Sequence, residues 1–197
     1  TALTVQNNGS ATTHVKVTYG TGQTWEGDIG ANSSSAFYTP ASGVPSGTLT
    51  NAVIESTSAG FGAQPIVALV NESNAYNRAA SYIGFASGST EVRAPIVMRR
   101  YFDFNTSIAC QNVGSSATTM TIQYGGIAGS NTSPSIAAGG AHLFYQPNDS
   151  LLSNGFLGSA TITASQPIVC VVNEDQNEGA LATTNLDQLY AYEGIAP

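Results

Sequence analysis

The sequence predicts an all-β protein built of two tandem antiparallel β-sandwich domains of about seven strands each. Three observations carry this. The stretch Pro65-Ile66-Val67-Ala68-Leu69-Val70-Asn71-Glu72 returns as Pro167-Ile168-Val169-Cys170-Val171-Val172-Asn173-Glu174, and a Gln (Gln64, Gln166) precedes each copy. Short runs rich in Val, Ile, Thr and Tyr alternate with Gly, Asn, Ser and Pro turn signals every eight to twelve residues. No stretch shows sustained helical periodicity, and 176–187 has room for one turn at most. With 197 residues, the chain is long enough for two such domains.

The first repeat, 1–90, opens with Ala2-Leu3-Thr4-Val5-Gln6-Asn7 and turns at Asn8-Gly9-Ser10. A second strand, Val15-Lys16-Val17-Thr18-Tyr19, alternates apolar and polar residues with period two and ends at Gly20-Thr21-Gly22. The third covers 24–29 and the fourth 36–38, closed by Pro40. Two Gly and a Pro make 41–47 a loop. The fifth strand is expected over 48–55, the sixth over 65–71 and the seventh over 80–85. The apolar run of the sixth reads as a strand buried on both faces.

The second repeat, 106–197, follows this plan. Residues 106–124 match 1–19 without a gap, and Gln111-Asn112, Gly114-Ser115 and Tyr124 recur at equal spacing. Phe144-Tyr145-Gln146-Pro147 answers Phe37-Tyr38-Thr39-Pro40, and Tyr192-Glu193-Gly194-Ile195 answers Tyr82-Ile83-Gly84-Phe85. The connector, 91–105, has no counterpart. Its Val92, Ile96, Val97, Met98, Tyr101, Phe102 and Phe104 make it too apolar for a flexible linker. It is expected to be buried, as an opening strand of the second domain or as a wedge between the two. No such segment precedes Thr1, which aligns with Thr106. That predicts either a longer array or an open groove on the first repeat, and an open sheet edge invites pairing with another chain. The expected donor is 92–104 or 189–195.

Composition sets the habitat. Lys and Arg number 5 against 12 Asp and Glu, and only 9% of residues are charged. A surface of Ser, Thr, Asn, Gln and Gly suits an extracellular protein. The net charge of −7 excludes nucleic acid as an expected partner, because that needs a basic footprint. No apolar run is long enough to span a membrane as a helix, and no signal peptide is visible. Six Asn-X-Ser/Thr triplets begin at Asn8, Asn32, Asn71, Asn105, Asn131 and Asn148, a number chance explains in so polar a chain.

The two cysteines, Cys110 and Cys170, replace Val5 and Ala68 of the first repeat. A pair present together in one copy and apolar in the other predicts one disulfide, either across the sheets or between neighbouring strands. By chain entropy, a loop of this size gains roughly 3–4 kcal/mol.

Catalytic patterns are missing. No Gly-x-Ser-x-Gly elbow occurs. His14 is expected on an exposed strand face and His142 beside a Gly-Gly turn. Glu72 and Glu174 recur at strand ends rather than across a cleft. Glu26 and Asp28 flank Gly27 with no His nearby in sequence. Neither an enzyme nor a cofactor is predicted. The sole metal candidate is a Ca²⁺ loop with Glu174, Asp175, Asn177 and Glu178, which lacks EF-hand spacing. Trp25, Tyr38, Tyr76 and Tyr82 are the aromatics available for stacking on sugar rings. Lys16, the lone lysine, is expected to point outward, away from any Lys–Asn crosslink.

The pattern Gln-Asn-x-Gly-Ser, Phe-Tyr-x-Pro, Gln-Pro-Ile-Val-x-x-Val-Asn-Glu and Tyr-x-Gly resembles the tandem β-sandwich (Ig-like) repeats of secreted and surface-anchored prokaryotic proteins. Pro95-Ile96-Val97-Met98 resembles their inter-repeat connector. The resemblance covers nearly the whole chain and implies a stalk, adhesin or filament subunit at the cell surface. The expected partner is a further copy of the chain in a homo-polymer, with polysaccharide or glycan binding as the alternative.

Overall fold

The computed structural model describes residues 1–57, 60, 62–73, 78–176 and 189–197. The chain is all-β, its sheets are antiparallel, and it divides into two compact units. The first comprises Thr1–Ser73 and Ser81–Gly84; the second comprises Asn74–Ala80 and Phe85–Pro197.

In the first unit, one sheet runs β4 (Ser34–Tyr38), β1 (Ala2–Asn7), β6 (Ile66–Ser73) and the Ser81–Ile83 part of β7 (Ala79–Ile83). The other runs β3 (Thr24–Ile29), β2 (Thr13–Tyr19) and β5 (Ala52–Thr57). Alternation sends Leu3, Val5, Phe37 and Val70 of the first sheet and Val15, Val17, Tyr19 and Ile29 of the second into one shared core.

The second unit places β8 (Ser89–Arg99), β9 (Asn105–Asn112), β10 (Met120–Tyr124), β11 (Asn131–Thr132), β12 (Ala141–Tyr145) and β14 (Leu189–Glu193) around one long strand, β13 (Phe156–Asp175). Residues 156–164 of β13 pair with β8 and β10, while 168–175 pair with β9 and β14. The strand thus does the work that β5 and β6 share in the first unit. Ile108, Cys110, Phe144 and Val172 meet Val92, Ile122 and Ile162 in its core.

Several local expectations need correction. The repeated Ile-Val run is not buried on both faces: β6 alternates, with Val67 48% and Leu69 39% exposed. Each sheet of a two-layer structure has only one face toward the core. The fifth strand begins at Ala52 rather than residue 48. After Phe-Tyr, both repeats turn into a short 3₁₀ segment, Thr39–Ser42 and Gln146–Asn148, with proline in its first turn.

The shared Gln-Asn-x-Gly motif has a structural explanation. Fully buried Asn7 donates its side-chain amide toward the carbonyls of Ala11, Ile29 and Gly30 at 2.8–3.1 Å and accepts from Gly9 N–H at 2.8 Å. Asn112 repeats this with Ser116, Ile136, Ala137 and Gly114. Both link the turn after the first strand to the end of the third segment. Gln64 and Gln166 back onto the glycines: a Cβ added to Gly9 or Gly114 would stand 2.7 Å from the Gln Cβ.

Candidate functional site

The connector residues lie in the second unit. β8 pairs antiparallel with β13, setting Val92 opposite Ile162, Arg93 opposite Thr161 and Ala94 opposite Ala160. Val92, Val97 and Met98 are buried with Ala94, while Ile96 stays exposed. Arg99 donates to the carbonyls of Asp149 and Leu152. Next comes a tight hairpin in which Tyr101 and Phe104 exchange backbone hydrogen bonds of 3.1 and 3.0 Å. Phe102 and Asp103, at its tip, have φ of 48° and 64°, the signs a type I′ turn requires. Phe102 is 78% exposed and meets the Tyr101 ring edge-on, with centroids 4.9 Å apart.

Two further contacts lock β8 in place. The Tyr192 hydroxyl donates to Ile96 C=O at 2.5 Å and accepts from Ile96 N–H at 3.2 Å. Gly194 lies under Val92, whose methyl group would overlap any Cβ there. Burial pushes the Tyr192 hydroxyl up to about 12, with Glu174 adding to the rise and the Ile96 backbone opposing it.

Register now permits a residue-by-residue comparison. Tyr19 faces Ala52 and Val17 faces Ile54 in the first unit, as Tyr124 faces Ala160 and Ile122 faces Ile162 in the second. Ala52, Val53, Ile54 and Glu55 therefore correspond to Ala160, Thr161, Ile162 and Thr163. Gly84 donates to Ala68 C=O at 2.8 Å just as Gly194 donates to Cys170 C=O at 2.8 Å, so Tyr82 and Gly84 correspond to Tyr192 and Gly194. In the second unit this flank carries β8. In the first unit β5 pairs with β2 alone among the described residues. Ile162 and Ala160 are buried, whereas Ile54 and Ala52 are only partly buried.

The disulfide joins Cys110 and Cys170, directly opposed on neighbouring strands with Cα atoms 4.1 Å apart. This is the second of the two expected placements. Val5 and Ala68 face each other at the same site in the first unit.

The acidic candidates do not converge. Glu174 and Asp175 are consecutive in β13 and so point to opposite faces. Asp175 Oδ1 accepts from the buried Arg78 guanidinium at 2.9 Å, and burial raises the Glu174 carboxyl. Asn177, Glu178 and Tyr76 lie outside the described residues, as does most of 176–187. No cluster of three or more His, Cys, Asp or Glu fit to hold a metal occurs among the described residues. Of the aromatic set, Trp25 packs edge-on against Phe37 at 5.3 Å beside the core, while Tyr38 stands exposed.

One cluster escaped the sequence reading. The β2–β3 register sets His14 opposite Asp28 and Lys16 opposite Glu26. His14 Nδ1 lies 2.6 Å from Asp28 Oδ1, Nε2 lies 3.3 Å from Glu26 Oε2, and Lys16 Nζ lies 3.5 Å from Glu26 Oε1. Hydrogen bonds to Asp28 and then Glu26 raise the His14 pKa. Counting back across the Gly20-Thr21-Gly22 hairpin would have predicted the pairing. In the second unit the positions of His14, Lys16 and Glu55 are Thr119, Thr121 and Thr163, so this particular cluster is not repeated there.

No protein-family model, curated protein or solved structure matches the chain. No helix among the described residues is long and apolar enough to cross a membrane.

Proposed function

We propose that this protein is a non-enzymatic extracellular structural protein, a subunit or segment of a surface fibre whose repeats are joined by strand pairing. The observation that carries the reading is the asymmetry of one sheet edge. The second unit closes this edge with β8, while the corresponding flank of β5 has no strand among the described residues. Unpaired strand edges are the usual substrate for strand addition between chains. The disulfide and the sparsely charged surface fit an oxidising, extracellular setting.

β8 is already engaged within its own unit, so strand exchange through 92–104 would first have to release it. Electron microscopy of native material, beside its mass in solution, tests the reading. Regular filaments or end-to-end strings of units are expected. Monodisperse single chains of about 20 kDa under all conditions would overturn it.

A further inference from the structure

We propose that the outer edge of β5 docks an extended strand from another polypeptide, antiparallel to 48–55, and selects one with a branched aliphatic residue over Gly84 and a basic residue beside Glu55. This rests on the structural reading above and specifies the partner at that same edge.

The second unit supplies the template. There, Val92 packs over Gly194 opposite Ile162, Ala94 lies opposite Ala160, and the Ile96 backbone holds the Tyr192 hydroxyl. The first unit keeps the receiving half of each contact. Gly84 offers the same gap over Ala68: the nearest atom to an added Cβ is the Ala68 Cβ at 3.2 Å, and among the described residues no side chain takes the place of Val92. The Tyr82 hydroxyl has no hydrogen-bond partner among the described residues, although burial and then Glu72 push it up to about 12. Ile54 and Ala52 point inward and are only partly buried. Residues 48–51 are outside any strand, whereas their counterparts in the second unit are in strand and run along β8. Leu49, 69% exposed, lies in this stretch. A docked strand would extend β5 backward, add ladder hydrogen bonds and cover the open side of the core.

The two edges differ in charge. Glu91 of β8 stands opposite neutral Thr163. In the first unit that position is Glu55, on a face that also carries Glu26 and Asp28 against Lys16 and His14. A strand identical to β8 would place Glu91 directly against Glu55, an unfavourable cross-strand pair. The edge therefore disfavours the β8 of a second copy and favours a related strand with Lys or Arg at that place.

The test adds synthetic 11-residue peptides to the intact chain: the sequence of 89–99, the same peptide with Glu91→Lys, and a scrambled control. Hydrogen exchange of 48–57 and the amide shift of Gly84 report docking. Expected are protection of 48–57 by the Glu91→Lys peptide, roughly threefold to tenfold tighter binding than the unaltered peptide, and no effect of the scramble. Glu55→Thr in the protein should erase that ratio. Tyr82→Phe should weaken docking several-fold without unfolding the exposed edge. Absence of protection by both matched peptides overturns the docking site. Equal binding overturns the charge rule, and tighter binding of the unaltered peptide makes β8 of a second copy the occupant. Docking by peptide is independent of fibre formation. Filaments without peptide binding would sink this inference alone, and peptide binding without filaments would sink only the fibre reading.

Discussion

The two units are one design carried out twice with a single strand's difference. Both repeat the buried Asn with its three carbonyl partners, the Gln behind a glycine, the Phe-Tyr-x-Pro turn and the Tyr-x-Gly end. They part at one flank. Where β8 lies, Ile162 and Ala160 are buried, and the whole of 156–164 is in strand. Where no strand lies among the described residues, only Ala52–Thr57 of the matching stretch is in strand. The added edge strand goes with a deeper core beneath it and a longer strand segment beside it.

The largest effect expected is at the disulfide. Replacing Cys110→Val together with Cys170→Ala gives the second unit the first unit's residues. By chain entropy it should lose roughly 3–4 kcal/mol. Denaturant unfolding followed by hydrogen exchange in each unit reads this out, and the first unit should be unmoved. A matched pair of truncations sharpens the edge comparison. Ile162→Ala should cost about 3 kcal/mol and Ile54→Ala about 1, because truncation in a closed core leaves a cavity and truncation at an open flank does not. Equal losses would mean that the two flanks are energetically alike.

Glycine substitutions test what the units share. Gly9→Ala and Gly114→Ala each force a methyl against a Gln Cβ at 2.7 Å and should destabilise their units by similar amounts, about 1–3 kcal/mol, in thermal melts. A strongly unequal result would break the correspondence of the two turns.

The smallest effect is confined to the first unit. The His14 pKa is raised by hydrogen bonds to Asp28 and Glu26, so its stabilisation is complete below its unfolded value of 6.5 and is lost as pH rises through the higher folded value. Proton-detected titration should find His14 above 6.5, and Asp28→Asn should lower it. His142, half-covered and shifted down by burial, should titrate below 6.5 and ignore that change.

Much of the structure was legible in the chain. Period-two alternation and turn residues marked most strands to within a few residues, and the internal repeat aligned Cys110 and Cys170 with Val5 and Ala68, a pair that does face across two strands. Those signals are local, or arise from comparing the chain with itself. The Asn7 and Asn112 networks were visible only as a repeated motif, since their partners lie up to 25 residues away.

Local pattern and internal repetition establish the all-β class, the order of strands, the likeness of the repeats and the apolar character of 91–105. Tertiary structure alone decided which edge β8 covers, that the Tyr192 hydroxyl clasps its backbone, and that His14 meets Asp28 and Glu26 across a hairpin. The physical reason is that alternation tells each side chain which face to take, whereas lateral neighbours are fixed by long-range register. One residue of slip would reverse every face, and only the packed core selects among the registers.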